Sequence, residues 1–288
     1  MKGKVVVITG ANAGIGKETA VGLASLGATV VLACRNEAKA SAAAAEVKRR
    51  SGQDDVHVIP IDLADLASVR DCAVTVGERW SRLDVLINNA GGIWTERTTT
   101  TQGFEQTFGV NHLGHFYFTN LLLPLLDAST PSRIVNLSSV GHHAAWRGMR
   151  WNDLQYEQGY TAMGAYSQSK LANVFFTRAL AERLDAGKVS AYAVHPGPVR
   201  SRFGMDGDMK GVSGIGYRIV RPLQISPAAG AKTSIFVASD SAVDRMSGGY
   251  WVRRRPGHLS RAARDHDAPE RLWQESARLV ASAGYPVA

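Results

Sequence analysis

The chain is expected to adopt an α/β fold, a doubly wound parallel sheet of about seven strands with helices on both faces. Three observations predict it. Short apolar runs alternate with helix-length stretches from the first residues onward. The first apolar run opens into a glycine-rich segment that leads straight into a helix pattern. No internal repeat or low-complexity linker divides the 288 residues, so one domain spanning 1–288 is expected.

The elements follow in order. Residues 5–8 are wholly apolar, as a strand covered on both faces must be. A helix is expected over 14–26 and a strand over 29–34. Residues 37–50 are alanine-rich with basic residues late, which suits a helix C-terminus. A strand over 56–61 and a helix over 64–80 come next, then a strand over 84–87 and a long helix over about 103–126. The fifth strand is 133–137, followed by a helix over 165–184 and a sixth strand over 189–194. A helix over 227–239, a short strand over 249–252 and a helix over 269–282, with Pro269 at its start, close the chain. Residues 200–226 break the alternation. They are glycine-rich, with Phe203, Met205 and Met209 as apolar members. Ligands sit outside the carboxyl ends of such strands, so this stretch is expected to be a substrate lid; a plain surface excursion is the alternative.

Bulk properties exclude several classes. Hydrophobic residues make up 45% and charged residues 20%, an ordinary globular mixture. Cys34 and Cys72 lack disulfide or CxxC spacing and read as reduced thiols in a cytoplasmic protein. Residues 1–10 imitate a signal peptide, but the apolar run is too short and ends at a glycine. The most apolar helix, around 116–126, contains Thr119, Asn120 and Pro124, so no membrane anchor is expected. The net charge is +8, yet Arg261, Arg264, Arg271 and Arg278 are interleaved with Asp265, Asp267, Glu270 and Glu275. Together with Arg253, Arg254 and Arg255 they read as a solvated basic face, and no nucleic-acid partner is expected. His112, His115, His142 and His143 match no zinc spacing, so no metal is expected. No GxSxG elbow surrounds Ser138, Ser139 or Ser213, which disfavours a serine hydrolase.

Two segments carry specific chemistry. Thr9-Gly10-Ala11-Asn12-Ala13-Gly14-Ile15-Gly16 lies between strand and helix, where glycines allow tight turning and backbone N–H groups approach a pyrophosphate. An acidic residue ending the second strand would hold the ribose hydroxyl of NAD; here Cys34 is followed by Arg35 and Asn36, and arginine suits a 2′-phosphate. Tyr166 and Lys170 lie four apart on an expected helix and share a face. A phenol pKa near 10 would need to fall by about three units for work at neutral pH, about 4 kcal/mol. A cation roughly 4 Å away at an effective dielectric near 20 supplies about that much.

The TGxxxGxG spacing, Asn88-Asn89-Ala90-Gly91, Asn111, Ser139, Tyr166-x-x-x-Lys170 and Pro196-Gly197 occur in the order found in the short-chain dehydrogenase/reductase family, which this chain resembles over most of its length. The resemblance implies a Rossmann fold and a soluble oxidoreductase that moves a hydride between NADP(H) and a small-molecule carbonyl or alcohol. It gives Tyr166 the proton transfer, Lys170 the nicotinamide ribose, Ser139 the substrate oxygen and Asn111 a relay water. For the cofactor it implies Gly10, Asn12, Ala13, Gly14, Ile15 and Gly16 at the phosphates, and Arg35, Asn36, Asp62 and Leu63 at the adenosine. Asn89, Ala90, Gly91, Pro196, Gly197, Val199 and Ser201 complete the cofactor set, together with Tyr166 and Lys170. Tyr166 follows Ser139 by 27 positions, across His142, His143, Trp146, Trp151, Asp153 and Leu154. With Ser167-Gln168-Ser169-Lys170-Leu171-Ala172-Asn173 and Glu270-Arg271-Leu272-Trp273, this resembles the retinol-dehydrogenase-like branch and implies lipophilic substrates. A non-catalytic NADP(H)-binding sensor is the alternative, and assembly into a homo-oligomer is left open.

Overall fold

Strand β1 (Val5–Thr9) is buried along its whole length, and its side chains alternate between two cores. Val5 and Val7 face one, Val6 and Ile8 the other, the two-residue period of a strand covered on both sides. In this computed structural model, which describes residues 1–199 and 225–287, β1 pairs in parallel with β2 (Thr29–Cys34) and β4 (Val85–Asn88). The sheet continues outward through β3 (Val56–Pro60) on one side. On the other lie β5 (Ser132–Leu137), β6 (Val189–His195), β7 (Tyr250–Val252) and β8 (Arg255–Pro256). The order is β3-β2-β1-β4-β5-β6-β7-β8, and only β8 runs antiparallel. The order reverses between β1 and β4, which opens a crevice at their carboxyl ends.

One core lies beneath α3 (Leu66–Arg79), α5 (Gly114–Ala128), α6 (Ala162–Arg183) and α8 (Ala268–Ser282). The other lies beneath α1 (Gly14–Ser25), α2 (Glu37–Ser51) and α7 (Pro227–Ser239). The two faces of the predicted doubly wound sheet are thus both covered.

Four details differ from the sequence reading. The long helix expected over 103–126 begins as a short α-turn, α4 (Gln106–Phe108), then widens into a π-turn at Gly109–Leu113 before α5. A five-residue change of period leaves the apolar pattern intact, so the sequence does not announce it. An eighth strand joins the sheet through a two-residue turn at Arg253 and Arg254, with φ of 51° and 62°. Such turns favour Asn-Gly, and two arginines in left-handed conformation give no hairpin signal. Helix α3 starts at Leu66, capped by Asp65 accepting from the Ala67 N–H. A 3-10 turn at Val140–Ala144 follows β5. Among the described residues, no helix is long and apolar enough to cross a membrane.

Candidate active site

The glycine-rich loop is shaped by close backbone approach. Gly10 (φ 65°) and Gly14 (φ 57°) occupy the left-handed region that glycine reaches without strain. A Cβ on Gly16 would lie 2.5 Å from Asn89 Nδ2 and 2.7 Å from the Gly10 carbonyl, so no side chain fits. Asn89 Nδ2 donates to the Thr9 carbonyl at 2.8 Å and so ties the end of β4 to the loop. Thr9 Oγ1 accepts from the N–H groups of Asn89 (2.9 Å) and Ala90 (3.0 Å). Its own proton is then free for His115 Nε2 at 2.9 Å, which leaves the His115 Nδ1–H to donate to the Asn111 carbonyl at 3.2 Å. Burial holds His115 neutral, with its pKa down to about 4.

This loop fits a dinucleotide. Ala13, the N-cap residue of α1, offers no side-chain cap, and no acid stands in the first turn. A Cβ on Gly14 would meet nothing within 4 Å. An uncapped helix terminus beside the β1–β4 crevice is the arrangement that receives a phosphate.

The adenosine end is more mixed. Cys34 is buried under the loop, near the N–H groups of Ala11 and Asn12, and burial pushes its thiol up to about 11. Arg35 is exposed at the end of β2. Asn36 caps α2, its Oδ1 accepting from the Lys39 N–H at 2.8 Å, so that oxygen is already engaged. Asp62 Oδ1 accepts from the Ala64 N–H at 3.0 Å, an Asx turn rather than a helix cap. Leu63 is buried against the start of α5, where a Cβ on Gly114 would fall 2.6 Å from the Leu63 carbonyl.

Ser139, Tyr166, Lys170 and Asn111 converge at the carboxyl edge of β4 and β5. Ser139 hydrogen-bonds Tyr166, and its Oγ also accepts from the Gly141 N–H at 3.0 Å. A Cβ on Gly141 would lie 3.0 Å from Tyr166 Cε1, so the glycine makes room for the ring. One turn further along α6, Lys170 is buried, donates to the Leu137 carbonyl at 3.2 Å and lies 5.6 Å from the Tyr166 ring centre. Asn111 sits in the π-turn. Its Oδ1 accepts from the Gly92 N–H at 2.8 Å, and its Nδ2 donates to the Gly92 carbonyl (2.9 Å) and Ser169 Oγ (3.0 Å). Gly91 lies between them, since a Cβ there would be 3.0 Å from Asn111 Oδ1 and 3.4 Å from Lys170 Nζ.

The electrostatic balance differs from the sequence argument. Burial raises the Tyr166 pKa, with the Ser139 hydrogen bond opposing it, and burial lowers Lys170 to about 8. Desolvation, which no residue spacing reveals, dominates the phenol, and the influence opposing it is the Ser139 hydrogen bond.

At the end of β6, Gly197 has φ 95°, and a Cβ there would lie 2.9 Å from Ile225 Cδ1. Val199 bridges to Ile225 and packs where a Cβ on Gly230 of α7 would be 2.5 Å from Val199 Cγ2 and 3.4 Å from Ile15. Pro196, Gly197 and Val199 thus flank the same edge as the glycine loop. Ser201 and residues 200–224 of the expected lid lie outside the described residues.

Several supporting residues escaped the sequence reading. Thr9 and His115 brace the loop, while Ser138 Oγ donates to the Lys170 carbonyl at 2.7 Å. Asn173 Nδ2 shares the Leu137 carbonyl with Lys170, at 3.0 Å. Small polar residues in buried elements are ordinary enough that only their partners distinguish them. Among the described residues, no three His, Cys, Asp or Glu side chains gather as metal ligands.

Known proteins resemble this arrangement. The family model described as short chain dehydrogenase matches residues 4–151. Retinol dehydrogenase 12 of Homo sapiens is 43% identical over 280 residues, covering 97% of this chain and 87% of that protein. Retinol dehydrogenase 13 of Homo sapiens is 42% identical, covering 96% and 85%. Among solved structures, an uncharacterized protein from Mycobacterium paratuberculosis superposes with a TM-score of 0.77 at 35% identity, covering 100% of this chain and 96% of that one. The Pseudomonas aeruginosa RhlG/NADP active-site complex gives 0.69 at 28% identity, covering 87% and 94%.

Proposed function

The chain belongs to the short-chain dehydrogenase/reductase family, in its retinol-dehydrogenase-like branch, and from that premise we propose that it is an NADP(H)-dependent oxidoreductase of lipophilic carbonyl or alcohol substrates. We take residues 1–288 as one nucleotide-binding domain acting in the cytoplasm. The observation that carries the reading is the convergence of Ser139, Tyr166, Lys170 and Asn111 beside an uncapped, glycine-lined helix terminus.

The nicotinamide, when bound, supplies or receives the hydride. Ser139, hydrogen-bonded to Tyr166, donates to the substrate oxygen where negative charge develops. Tyr166 gives that oxygen its proton in reduction and takes it back in oxidation. Lys170, lowered to about 8 by burial, holds the ribose hydroxyls and stays mostly cationic at neutral pH, so it favours the phenolate form. Asn111 fixes the Gly91-Gly92 backbone against which Lys170 rests. Arg35 takes the 2′-phosphate of NADP(H), and the buried, neutral Cys34 leaves no anion to repel it. The relatives named retinol dehydrogenase support a lipophilic substrate.

Incubating the protein with NADPH or NADH and a panel of short and long-chain aldehydes, ketones and alcohols tests the reading. The expected result is faster turnover of the longer apolar members, with NADPH preferred. Cofactor binding without turnover of any member would instead identify a non-catalytic sensor.

A further inference from the structure

We propose that His142 is a positioning residue that brackets the Ser139 turn against the carboxy-terminal segment and so sets Ser139 in register with Tyr166. This rests on the catalytic reading above. His142 is fully buried, yet both its ring nitrogens are engaged. Nδ1 lies 2.7 Å from the Ser139 carbonyl, and Nε2 lies 3.3 Å from the Ser260 N–H. The Ser260 N–H can only donate, so Nε2 carries the lone pair and Nδ1 carries the proton. Only the neutral Nδ1–H tautomer satisfies both partners. The Ser139 carbonyl accepts twice from the same residue, since the His142 backbone N–H also reaches it at 3.1 Å.

The bracket closes through α6. Ser260 Oγ accepts from the Ala263 N–H at 3.1 Å, and Arg178 of α6 donates to the carbonyls of Ala263 (2.7 Å) and Asp265 (2.6 Å). The path Ser139–His142–Ser260–Ala263–Arg178 therefore returns to the helix that carries Tyr166 and Lys170. Ser139 lies on a short 3-10 turn after β5 and has no covalent neighbour on α6. Serine and tyrosine must present their oxygens to one substrate atom, and a misplacement of about 1 Å can cost on the order of a hundredfold in rate.

The surroundings keep the ring neutral. His143 stacks at 4.2 Å from the same turn, and the Tyr250 ring meets it edge-on at 5.0 Å from β7. His142, His143 and Arg253, beyond β7, each disfavour a charge on His195 of β6. Burial and, after it, the nearby Tyr166 phenol push the Tyr250 pKa up. Burial, followed by His143, lowers the His142 pKa, with the Ser139 carbonyl opposing. Protonation would place an Nε2–H against the Ser260 N–H and open the bracket.

Two substitutions separate positioning from bulk packing. His142→Asn keeps the donor to the Ser139 carbonyl but loses the acceptor for the Ser260 N–H, whereas His142→Phe keeps a ring and loses both bonds. Single-turnover reduction should fall at least about tenfold in His142→Phe and by a smaller factor, about threefold, in His142→Asn, with NADPH affinity unchanged in both. The parent should lose rate only on the acid side of an ordinary histidine's titration, because burial lowers His142, and His142→Asn should lack that limb. A second readout needs no turnover. The Tyr166 phenol titration, taken by absorbance as the difference from Tyr166→Phe, should move upward in His142→Phe and by less in His142→Asn, because the Ser139 hydrogen bond holds it down. Equal rates in parent and His142→Phe, equal losses in both variants, or an unmoved phenol titration would each overturn the proposal. A parent without turnover would refute the catalytic reading alone, since the phenol titration still decides the bracket.

Discussion

The two halves of the site are built by different means. The glycine loop between β1 and α1 is shaped by backbone: left-handed glycines, an uncapped helix terminus and a Gly16 position where a Cβ cannot fit. The edge beyond β5 is shaped by side chains, with Ser139, Tyr166, Lys170 and Asn111 each held by a specific partner. A backbone cradle binds groups shared by every dinucleotide and needs no titratable side chain. The catalytic edge needs groups whose protonation is tuned, so it is buried and polar at once. Damage to the loop should therefore appear in binding, and damage to the edge in rate.

The largest effect expected lies at the edge. Tyr166→Phe removes the proton donor and keeps the ring that fills the space beside Gly141. Single-turnover hydride transfer should fall at least about a hundredfold while NADPH affinity holds within about twofold. A comparable loss of NADPH affinity would break the division between the halves. At the loop, Gly16→Ala forces a methyl to within 2.5 Å of Asn89 Nδ2 and 2.7 Å of the Gly10 carbonyl, a backbone atom that cannot swing away. NADPH affinity should fall at least about tenfold and stability by about 1–3 kcal/mol, the cost of overpacking. Calorimetric titration and thermal unfolding measure both, and a variant that binds normally would show that the cradle tolerates distortion.

Arg35→Ala sharpens the comparison within the loop half, because it alters the one side chain assigned to distinguishing cofactors. NADPH should lose about ten- to a hundredfold in affinity and NADH little, as expected for one charge-assisted contact of about 1.5–3 kcal/mol. Equal losses for both cofactors would remove Arg35 from the 2′-phosphate.

The same contrast explains what the sequence made legible. Apolar strand runs, the TGxxxGxG loop and the four-residue spacing of Tyr166 and Lys170 are local patterns, and the parallel sheet with its helices on both faces follows from them. The π-turn at Asn111 hides inside a continuous apolar periodicity, and β8 hides behind two arginines whose left-handed φ no propensity favours. Asn36, expected at the adenosine, also caps α2 through its side-chain oxygen, a partner only the fold brings to it. The direction of the Tyr166 shift depends on how deeply the fold buries it, a tertiary quantity. His142 looked like one of four unremarkable histidines until Ser139 and Ser260 arrived on either side of it.

Acid provides the gentlest test, because both halves lean on a neutral histidine. His115 braces Thr9 beneath the loop, and His195 accepts from the Gly197 N–H at the edge; burial lowers each to about 4. An unfolded histidine titrates near 6.5, so between that pH and about 4 the unfolded chain binds protons that the folded chain refuses. Stability is complete above about pH 6.5 and declines as the pH falls through that window, by about 1.4 kcal/mol per pH unit for each such histidine. His195→Asn and His115→Gln should each flatten the curve of unfolding free energy against pH by about one proton, whatever they do to stability at neutral pH. Denaturant unfolding at half-unit steps from pH 7 to 4.5 measures the slopes. If only His195→Asn flattens the curve, acid enters through the catalytic edge alone and the loop is insulated from it. Equal flattening would mean that the two halves, though built differently, share one acid limit.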